Sequence, residues 1–235
     1  FEIEERILST GEILQALDES SVHQVAEQIK DAGDIEAIAV VLLFSYVNPA
    51  HELRVRDLLQ SLLPNIPVSI SFDVLPKWKE YERASTTIAD AYIKPILHRY
   101  LGDMEARFDA AGIDGTVAMI KSNGGEMTPS AARRQPIHLT ISGPTGGVIA
   151  GRAVARELDA SHVVTLDMGG TSTDVSRFDG EQYDRVQDTL VAGHRLRAPM
   201  MAVHTVAAGG GSVLTFDGER ARVGPDSAGA MPGPA

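Results

Sequence analysis

Apolar residues recur at helical spacing between residues 18 and 33. Val22, Val25, Ala26 and Ile29 share one face, and Gly33 ends the pattern. Ser21 and Gln24 have the spacing of a capping box, so the helix is expected to start there. The following EAIAVVLLFSY (36–46) is an unbroken apolar run, the mark of a strand buried on both faces. Val55, Leu58, Leu59, Leu62 and Leu63 predict a second helix, stopped by Pro64. PVSISFDV alternates Val68, Ile70 and Phe72 with serines and predicts a strand with one less buried face. From about Arg83 to Ala111 a long helix is expected. Its broad stripe comprises Tyr92, Ile93, Ile96, Leu97, Tyr100, Leu101, Met104 and Phe108, and Pro95 should kink it or mark its start.

The second half changes rhythm. TVAMIKSNGG reads as a buried strand running into a glycine loop. SGPTGGVIAGRAVARELDA reads as a loop entering a helix, with Pro144 near the first helical position. HVVTLDMGG is a buried strand, and everything beyond it looks like strands joined by turns. Asp179-Gly180 and Asp217-Gly218 are hairpin dipeptides. The last twelve residues, rich in Gly and Pro, should be irregular. Strand–helix alternation followed by hairpins predicts an α/β fold with a mixed sheet.

With 235 residues and 43% hydrophobic content, the chain can bury a real core, as one large domain or two lobes. The net charge of −11 argues against nucleic acid and against anionic membrane surfaces as partners. An acidic protein that handles phosphate must do so through local backbone N–H groups or a metal ion. The absence of cysteine excludes disulfides, thiolate zinc sites and cysteine nucleophiles, and fits a cytoplasmic location. The longest apolar run, Ala37 to Phe44, is too short to span a bilayer. A start at Phe1 and an end at GAMPGPA read as a piece of something longer.

Candidate chemistry concentrates in TLDMGGTSTDVSRFDG (165–180). A strand delivers Asp167 at its end. Gly169 and Gly170 permit close backbone approach, and their N–H groups, with those of Thr171 and Ser172, can form an anion-binding concavity. The Thr171, Ser172 and Thr173 hydroxyls add donors. Asp167 and Asp174 are hard oxygen ligands suited to Mg²⁺. A polar hairpin turn with a bulge accounts for the same residues equally well. SNGG and SGPTGGV place glycines between strand and helix, where a helix N-terminus can receive an anion; tight turns are the simpler account, above all for SNGG. AAGGGS (207–212), with Gly209 and Gly210, is either a close-approach loop beside the site or a flexible link. His194 and His204 are candidate ligands or proton carriers, although an isolated histidine is more often a satisfied structural residue. Glu80, Glu82 and Arg83 suit capping and salt bridging at the head of the long helix. The chain contains no Walker-type Gly-x-x-x-x-Gly-Lys-Ser/Thr. His51-Glu52 lacks the second histidine of a zincin, and 170–174 lack the closing glycine of a nucleophile elbow.

Asp-Met-Gly-Gly-Thr-Ser-Thr-Asp-Val-Ser (167–176) resembles the second phosphate motif of the actin-like ATPase superfamily. Together with PKWKEYERASTTIADAYIKPILHRYL (76–101), SNGGEMTP (122–129), SGPTGGV (142–148), HTVAAGGGS (204–212) and VGPDSAGAMPGPA (223–235), it resembles the A subunit of the hydantoinase/oxoprolinase family over nearly the whole chain. The family's earlier Asp-x-Gly-Gly-Thr loop and its later adenosine-contacting segment have no counterpart here, and Ala207 stands where the family usually has Gly. The resemblance implies ribonuclease-H-like lobes, residues 1–85 completing a first lobe and 86–235 belonging to a second. It also implies ATP and Mg²⁺ as cofactors, a B-subunit partner, and ATP-driven hydrolysis of a cyclic amide such as a hydantoin or 5-oxoproline. Phosphorylating the amide oxygen turns a poor leaving group into a good one, so water can attack. Asp167 would then orient Mg²⁺ or water, with Asp174 as the second carboxylate. Gly169, Gly170, Thr171, Ser172 and Thr173 would hold phosphate oxygens, with Gly209 and Gly210 contacting the nucleotide. Alternatives are a ketone carboxylase subunit, a sugar or acid kinase of the same superfamily, or a non-catalytic binding module. The piece alone is expected to bind nucleotide poorly.

Overall fold

The computed structural model describes residues 1–180, 182–191 and 193–229. The first half runs β1 (Arg6–Ile7), β2 (Ile13–Gln15), α1 (Glu19–Ala32), β3 (Ile38–Val40), α2 (Ala50–Leu62), β4 (Val68–Ile70), α3 (Ser71–Val74) and the long α4 (Glu80–Ala110). Then come β5 (Met119–Ile120), β6 (Glu126–Met127), α5 (Pro129–Arg134), a 3₁₀ turn at Pro136–Leu139 and α6 (Ser142–Glu157). The remainder is strand: β7 (His162–Met168), β8 (Thr173–Asp179), β9 (Gln182–Tyr183), β10 (Arg185–Val191), β11 (His194–Met201), β12 (His204–Val206), β13 (Ser212–Phe216) and β14 (Ala221–Ser227). The α/β character is therefore as expected, but no sheet among the described residues is mixed. The parallel pair β3–β4 stands apart, and the sheet of β7, β8, β9 and β12 is antiparallel throughout. The chain divides into two compact units. One comprises Phe1–Met119, Glu126–Thr140 and Gln187–Ala198; the other comprises Ile120–Gly125, Ile141–Val186 and the chain from Pro199 on.

In the first unit, β3 and β4 pair in parallel, with α2 as the crossover between them. Val22, Val25, Ala26 and Ile29 of α1 pack with Val55 and Leu59 of α2 and with Val40, Val68 and Ile70 of the strands. The helical pattern of α1 therefore marked its buried face. Its N-cap, however, is Asp18, whose side chain accepts from the Ser20 amide at 2.9 Å, and not Ser21. Ser21 is buried one turn inside and donates to the Asp18 carbonyl. Gly33 closes the helix at φ 72°, a conformation glycine adopts without strain.

Two predicted strands are much shorter than their apolar runs. The 36–46 run forms a strand only at 38–40, because its partner turns into α3 immediately after Ile70 and offers no further ladder. Beyond that point the Leu42 amide bonds to the Glu52 carboxyl at 2.8 Å, and the chain reverses around Phe44 at φ 56°. The Val68–Ile70 strand is buried at all three positions, so the predicted less buried face does not exist.

The predicted stripe of the long helix is buried only in part: Leu101 is fully buried, and Ile93, Leu97, Met104 and Phe108 are half-buried. Tyr92, Ile96 and Tyr100 are 75%, 56% and 57% exposed. The buried face carries Arg83, Thr86, Thr87, Asp90 and Lys94. The helix begins at Glu80, and Pro95 lies inside it. Polar residues lie inward because they have partners there. The Ser69 hydroxyl donates to Asp90 at 2.7 Å, and the Ile137 amide donates to the other Asp90 oxygen at 3.1 Å. Lys94 reaches the Val68 carbonyl, the Ser69 hydroxyl and the Asp90 carboxylate. Burial holds its ammonium below the usual lysine range, against the pull of Asp90. Arg83 Nη1 donates to Ser45 and Ser71, and its guanidinium lies over the Tyr46 ring. Ser71 in turn donates to the fully buried Glu52 at 2.7 Å.

In the second unit β7, β8 and β12 form an antiparallel sheet in the order β12–β8–β7, with β9 added to β8. Helix α6 packs on one face, where Val148 and Ala155 meet Phe178 and Met201. β7 is not the buried strand its sequence predicts: Val163 and Thr165 are half-buried, whereas Val164, Leu166 and Met168 on the opposite face are exposed. β8–β9 turns at Asp179-Gly180 and β13–β14 at Asp217-Gly218, as the dipeptides predict. Asp217 closes its turn by accepting from the Glu219 and Arg220 amides, and these bonds hold its carboxyl below the usual range. The predicted irregular end is in strand as far as Ser227; residues 230–235 lie outside the described residues.

Glu52 accepts from two backbone amides and one hydroxyl inside the first unit. Replacing it with Ala leaves the half-buried Leu42 and Phe72 amides without their acceptor and is expected to cost about 2–3 kcal/mol. Glu52→Gln, which keeps one oxygen, should cost less. Urea unfolding checks this: equal midpoints for wild type and Glu52→Ala would show the network adds nothing to stability.

Candidate functional site

The β7–β8 register brings the two predicted carboxylates together. Asp167 pairs with Asp174 and Met168 with Thr173, leaving Gly169–Ser172 as a four-residue loop. Like charges directly opposite each other on neighbouring strands repel. Among the described residues neither carboxylate has a salt-bridge partner. Only the Thr205 hydroxyl, one strand further on β12, donates to Asp174, at 2.6 Å.

Both carboxylates line a cleft of about 280 Å³ between α6 and the sheet. Its floor includes Thr165 and Ser176, cross-strand partners whose hydroxyls are 2.5 Å apart. Its wall includes Gly147 and Gly151 of α6. A methyl on Gly151 would lie 2.5 Å from Thr165 Cγ2, and one on Gly147 would lie 3.4 Å from Asp167 Oδ2. These two glycines, four apart on one helix face, let the helix approach the strand while leaving room for the carboxylate. The sequence had suggested a different reading of SGPTGGV, as a loop ahead of the helix. The helix instead starts at Ser142 and contains those glycines, with Pro144 as its third residue.

Within the 169–172 loop the Gly169 amide bonds to the Ser172 carbonyl at 2.9 Å and is not free for a ligand. The Gly170, Thr171 and Ser172 amides have no hydrogen-bond partner among the described residues. Neither Gly169 nor Gly170 is left-handed, so unusual dihedrals are not what the glycines supply. A methyl on Gly170 would meet nothing within 4 Å, so open space faces this residue. Thr171 and Ser172 carry no side-chain hydrogen bond among the described residues, but the Thr173 hydroxyl turns inward to the Ala208 carbonyl at 2.5 Å.

Gly209 and Gly210 serve the protein itself. The Gly209 amide bonds to the Ser212 hydroxyl, the Gly210 amide to the Gly169 carbonyl and the Gly211 amide to the Gly170 carbonyl. A methyl on Gly209 would lie 2.5 Å from Gly169 O and 2.8 Å from Gly170 C. The triple glycine is thus a backbone splint behind the loop. SNGG is a tight turn, with Gly124 at φ 84°. Its buried Ser122 accepts from the Ile141 amide and receives Thr145 through its carbonyl, anchoring the start of α6.

The remaining candidates do not line this cleft. His194 belongs to the first unit and lines an apolar groove with Tyr92 and Leu196, while His204 belongs to the second unit and pairs with Val175. Glu82 is within salt-bridge reach of Lys79 at 3.7 Å and Arg195 at 3.6 Å. Among the described residues no group of three or more His, Cys, Asp or Glu side chains could hold a metal, and no helix is long and apolar enough to cross a membrane. Two carboxylates do suit Mg²⁺, which binds through one or two of them and completes its shell with water and phosphate oxygens.

Comparison with known proteins gives this geometry a family context. The hydantoinase/oxoprolinase family model matches residues 83–235, and the model of that family's N-terminal region matches residues 1–63. The chain belongs to the hydantoinase/oxoprolinase family. It is 34% identical to the caprolactamase alpha subunit of Pseudomonas jessenii over 97% of this chain and 33% of that protein. It is 36% identical to 5-oxoprolinase of Saccharomyces cerevisiae over 97% of this chain and 18% of that protein. A solved structure of nucleotide-free acetone carboxylase, from work on ATP-dependent acetone carboxylation, matches with a TM-score of 0.82 at 31% identity, covering 97% of this chain and 32% of that one. The chain thus spans about a third or less of the length of these relatives.

The splint predicts a contrast between adjacent glycines. Gly209→Ala collides with the loop backbone and is expected to destabilise the second unit by about 1–3 kcal/mol. A methyl on Gly210 finds its nearest neighbour at 3.8 Å and should be tolerated. Thermal unfolding with amide exchange at Gly211 measures both; equal effects would remove the splint.

Proposed function

We propose that this chain forms the phosphate-gripping part of an ATP-dependent enzyme that activates an amide carbonyl for hydrolysis. The observation that carries the reading is the Asp167–Asp174 pair at the mouth of a cleft, beside a loop whose amides at Gly170, Thr171 and Ser172 have no partner among the described residues. Backbone N–H groups are how an acidic protein attracts phosphate without a basic surface. Gly170, Thr171 and Ser172 would hold β- and γ-phosphate oxygens, and Asp167 and Asp174 would hold Mg²⁺. When bound, the cation neutralises phosphate charge and aligns the transfer. Gly147 keeps space for the Asp167 carboxylate, and the splint at 209–211 keeps the loop carbonyls turned to the protein, so Gly209 and Gly210 support the nucleotide only through the loop. Thr173 is a lock on the same splint.

The substrate class follows from kinship. The caprolactamase alpha subunit and 5-oxoprolinase are named for cyclic amides. Transfer of the γ-phosphoryl group from ATP to the amide oxygen would make the carbonyl carbon electrophilic. Water would add there, and the C–N bond would break with the nitrogen taking a proton. A second water would release inorganic phosphate from the resulting acyl phosphate to leave the carboxylate. We place the fold among the ribonuclease-H-like, actin-like ATPase lobes. The enzyme would work in the cytoplasm, where ATP is available. A relative named as an alpha subunit supports a hetero-oligomer with a B-type partner. Acetone carboxylase favours a second reading, in which the same phosphate grip activates a ketone or bicarbonate for carboxylation.

Asp167→Asn, in the enzyme assembled with its partner, is expected to lower ATP turnover about a hundredfold or more while leaving the fold intact. Phosphate release in the presence of a lactam measures this; turnover within twofold of wild type would remove Asp167 from the site. Turnover that needs bicarbonate and a ketone would favour the carboxylase.

A further inference from the structure

We propose that Thr205 is a positioning residue for the cation-binding carboxylate Asp174, an inference that rests on the phosphate-site reading above. Thr205, Asp174 and Asp167 are register partners across three adjacent antiparallel strands. The Thr205 hydroxyl donates to Asp174 Oδ1 at 2.6 Å, the length of a charge-assisted bond, and is directed at one carboxylate oxygen only. The pair lies in an exposed part of the sheet, where a hydroxyl–carboxylate bond does little for stability. Its effect is geometric. The bond to Oδ1 restrains the rotamer of Asp174, which lines the cleft together with Asp167, and leaves Oδ2 without a hydrogen-bond partner among the described residues. A single free oxygen favours monodentate binding, which suits the octahedral demand of Mg²⁺ better than a carboxylate gripping through both oxygens.

The hydroxyl also draws negative charge toward β12 and away from Asp167, easing the repulsion between the two carboxylates. Without it, Asp174 can swing, and the cation must organise the ligand as well as bind it. Hydrogen-bonded partners of this kind typically change metal affinity by ten- to a hundredfold. β12 leads directly into the 207–211 segment that braces the phosphate loop, so one strand carries both the carboxylate's partner and the loop's splint.

The test titrates Mn²⁺ into the chain, counting free metal by electron paramagnetic resonance, for wild type, Thr205→Val, Thr205→Ser and Asp174→Asn. Valine nearly preserves shape and suits an exposed strand, so the fold is expected to persist, checked by circular dichroism. Thr205→Val is expected to weaken Mn²⁺ binding about tenfold. Thr205→Ser, which restores the hydroxyl, should bind within twofold of wild type. Wild-type affinity in Thr205→Val, alongside weakened Asp174→Asn, overturns the role of Thr205 and leaves the cation site standing. Serine binding as weakly as valine overturns it too, because the hydroxyl would then not be the cause. No Mn²⁺ uptake by wild type at millimolar concentrations overturns the cation reading and this inference together.

Discussion

The register of one antiparallel pair governs the second unit. β7 and β8 are aligned so that Asp167 faces Asp174 and Thr165 faces Ser176, all on the side covered by α6. A slip of one residue in their pairing would put the two carboxylates on opposite faces of the sheet. The register is held from both sides. Toward the helix, Phe178 is buried with Val148 and Ala155. Behind the loop, the amides of Gly210 and Gly211 clasp the carbonyls of Gly169 and Gly170. Two carboxylates are thereby kept adjacent, and among the described residues neither has a salt-bridge partner.

Glycine supports this arrangement in three distinct ways. At Gly147 and Gly151 the missing side chain brings helix and strand together. At Gly209 it lets two backbones meet at a distance no Cβ would permit, and at Gly170 it leaves open space in front of the loop. Only the tertiary contacts separate these cases, since none of the four depends on a left-handed dihedral.

The first unit owes its cohesion to a polar interior as much as to its apolar core. Glu52, Ser71, Ser45 and Arg83 link α2, α3 and α4 through side chains that each have an internal partner. Asp90 and Lys94 tie α4 to β4 in the same way. Such groups are tolerated inside because their hydrogen bonds offset much of the desolvation cost. The helix therefore turns Tyr92, Ile96 and Tyr100 outward while Leu101 of the same stripe stays buried, a division that hydrophobic periodicity does not predict.

The sequence by itself determined the helices at 19–32 and 50–62, the hairpin turns at Asp179-Gly180 and Asp217-Gly218, the α/β class and the position of the glycine-rich loop. These are local properties: periodicity, capping and turn chemistry act over a few residues, and the family motif is a contiguous string. Where Ala37–Phe44 stops being a strand, which face of the long helix is buried, and what Gly209 is for were decided only by tertiary structure. Each depends on a partner distant in sequence: the end of the β4 ladder, the carboxyl and hydroxyl groups of α2, α3 and β4, and the carbonyls of Gly169 and Gly170. Thr205 belongs with them, for its hydroxyl matters only because the fold sets it beside Asp174, thirty-one residues earlier in the chain.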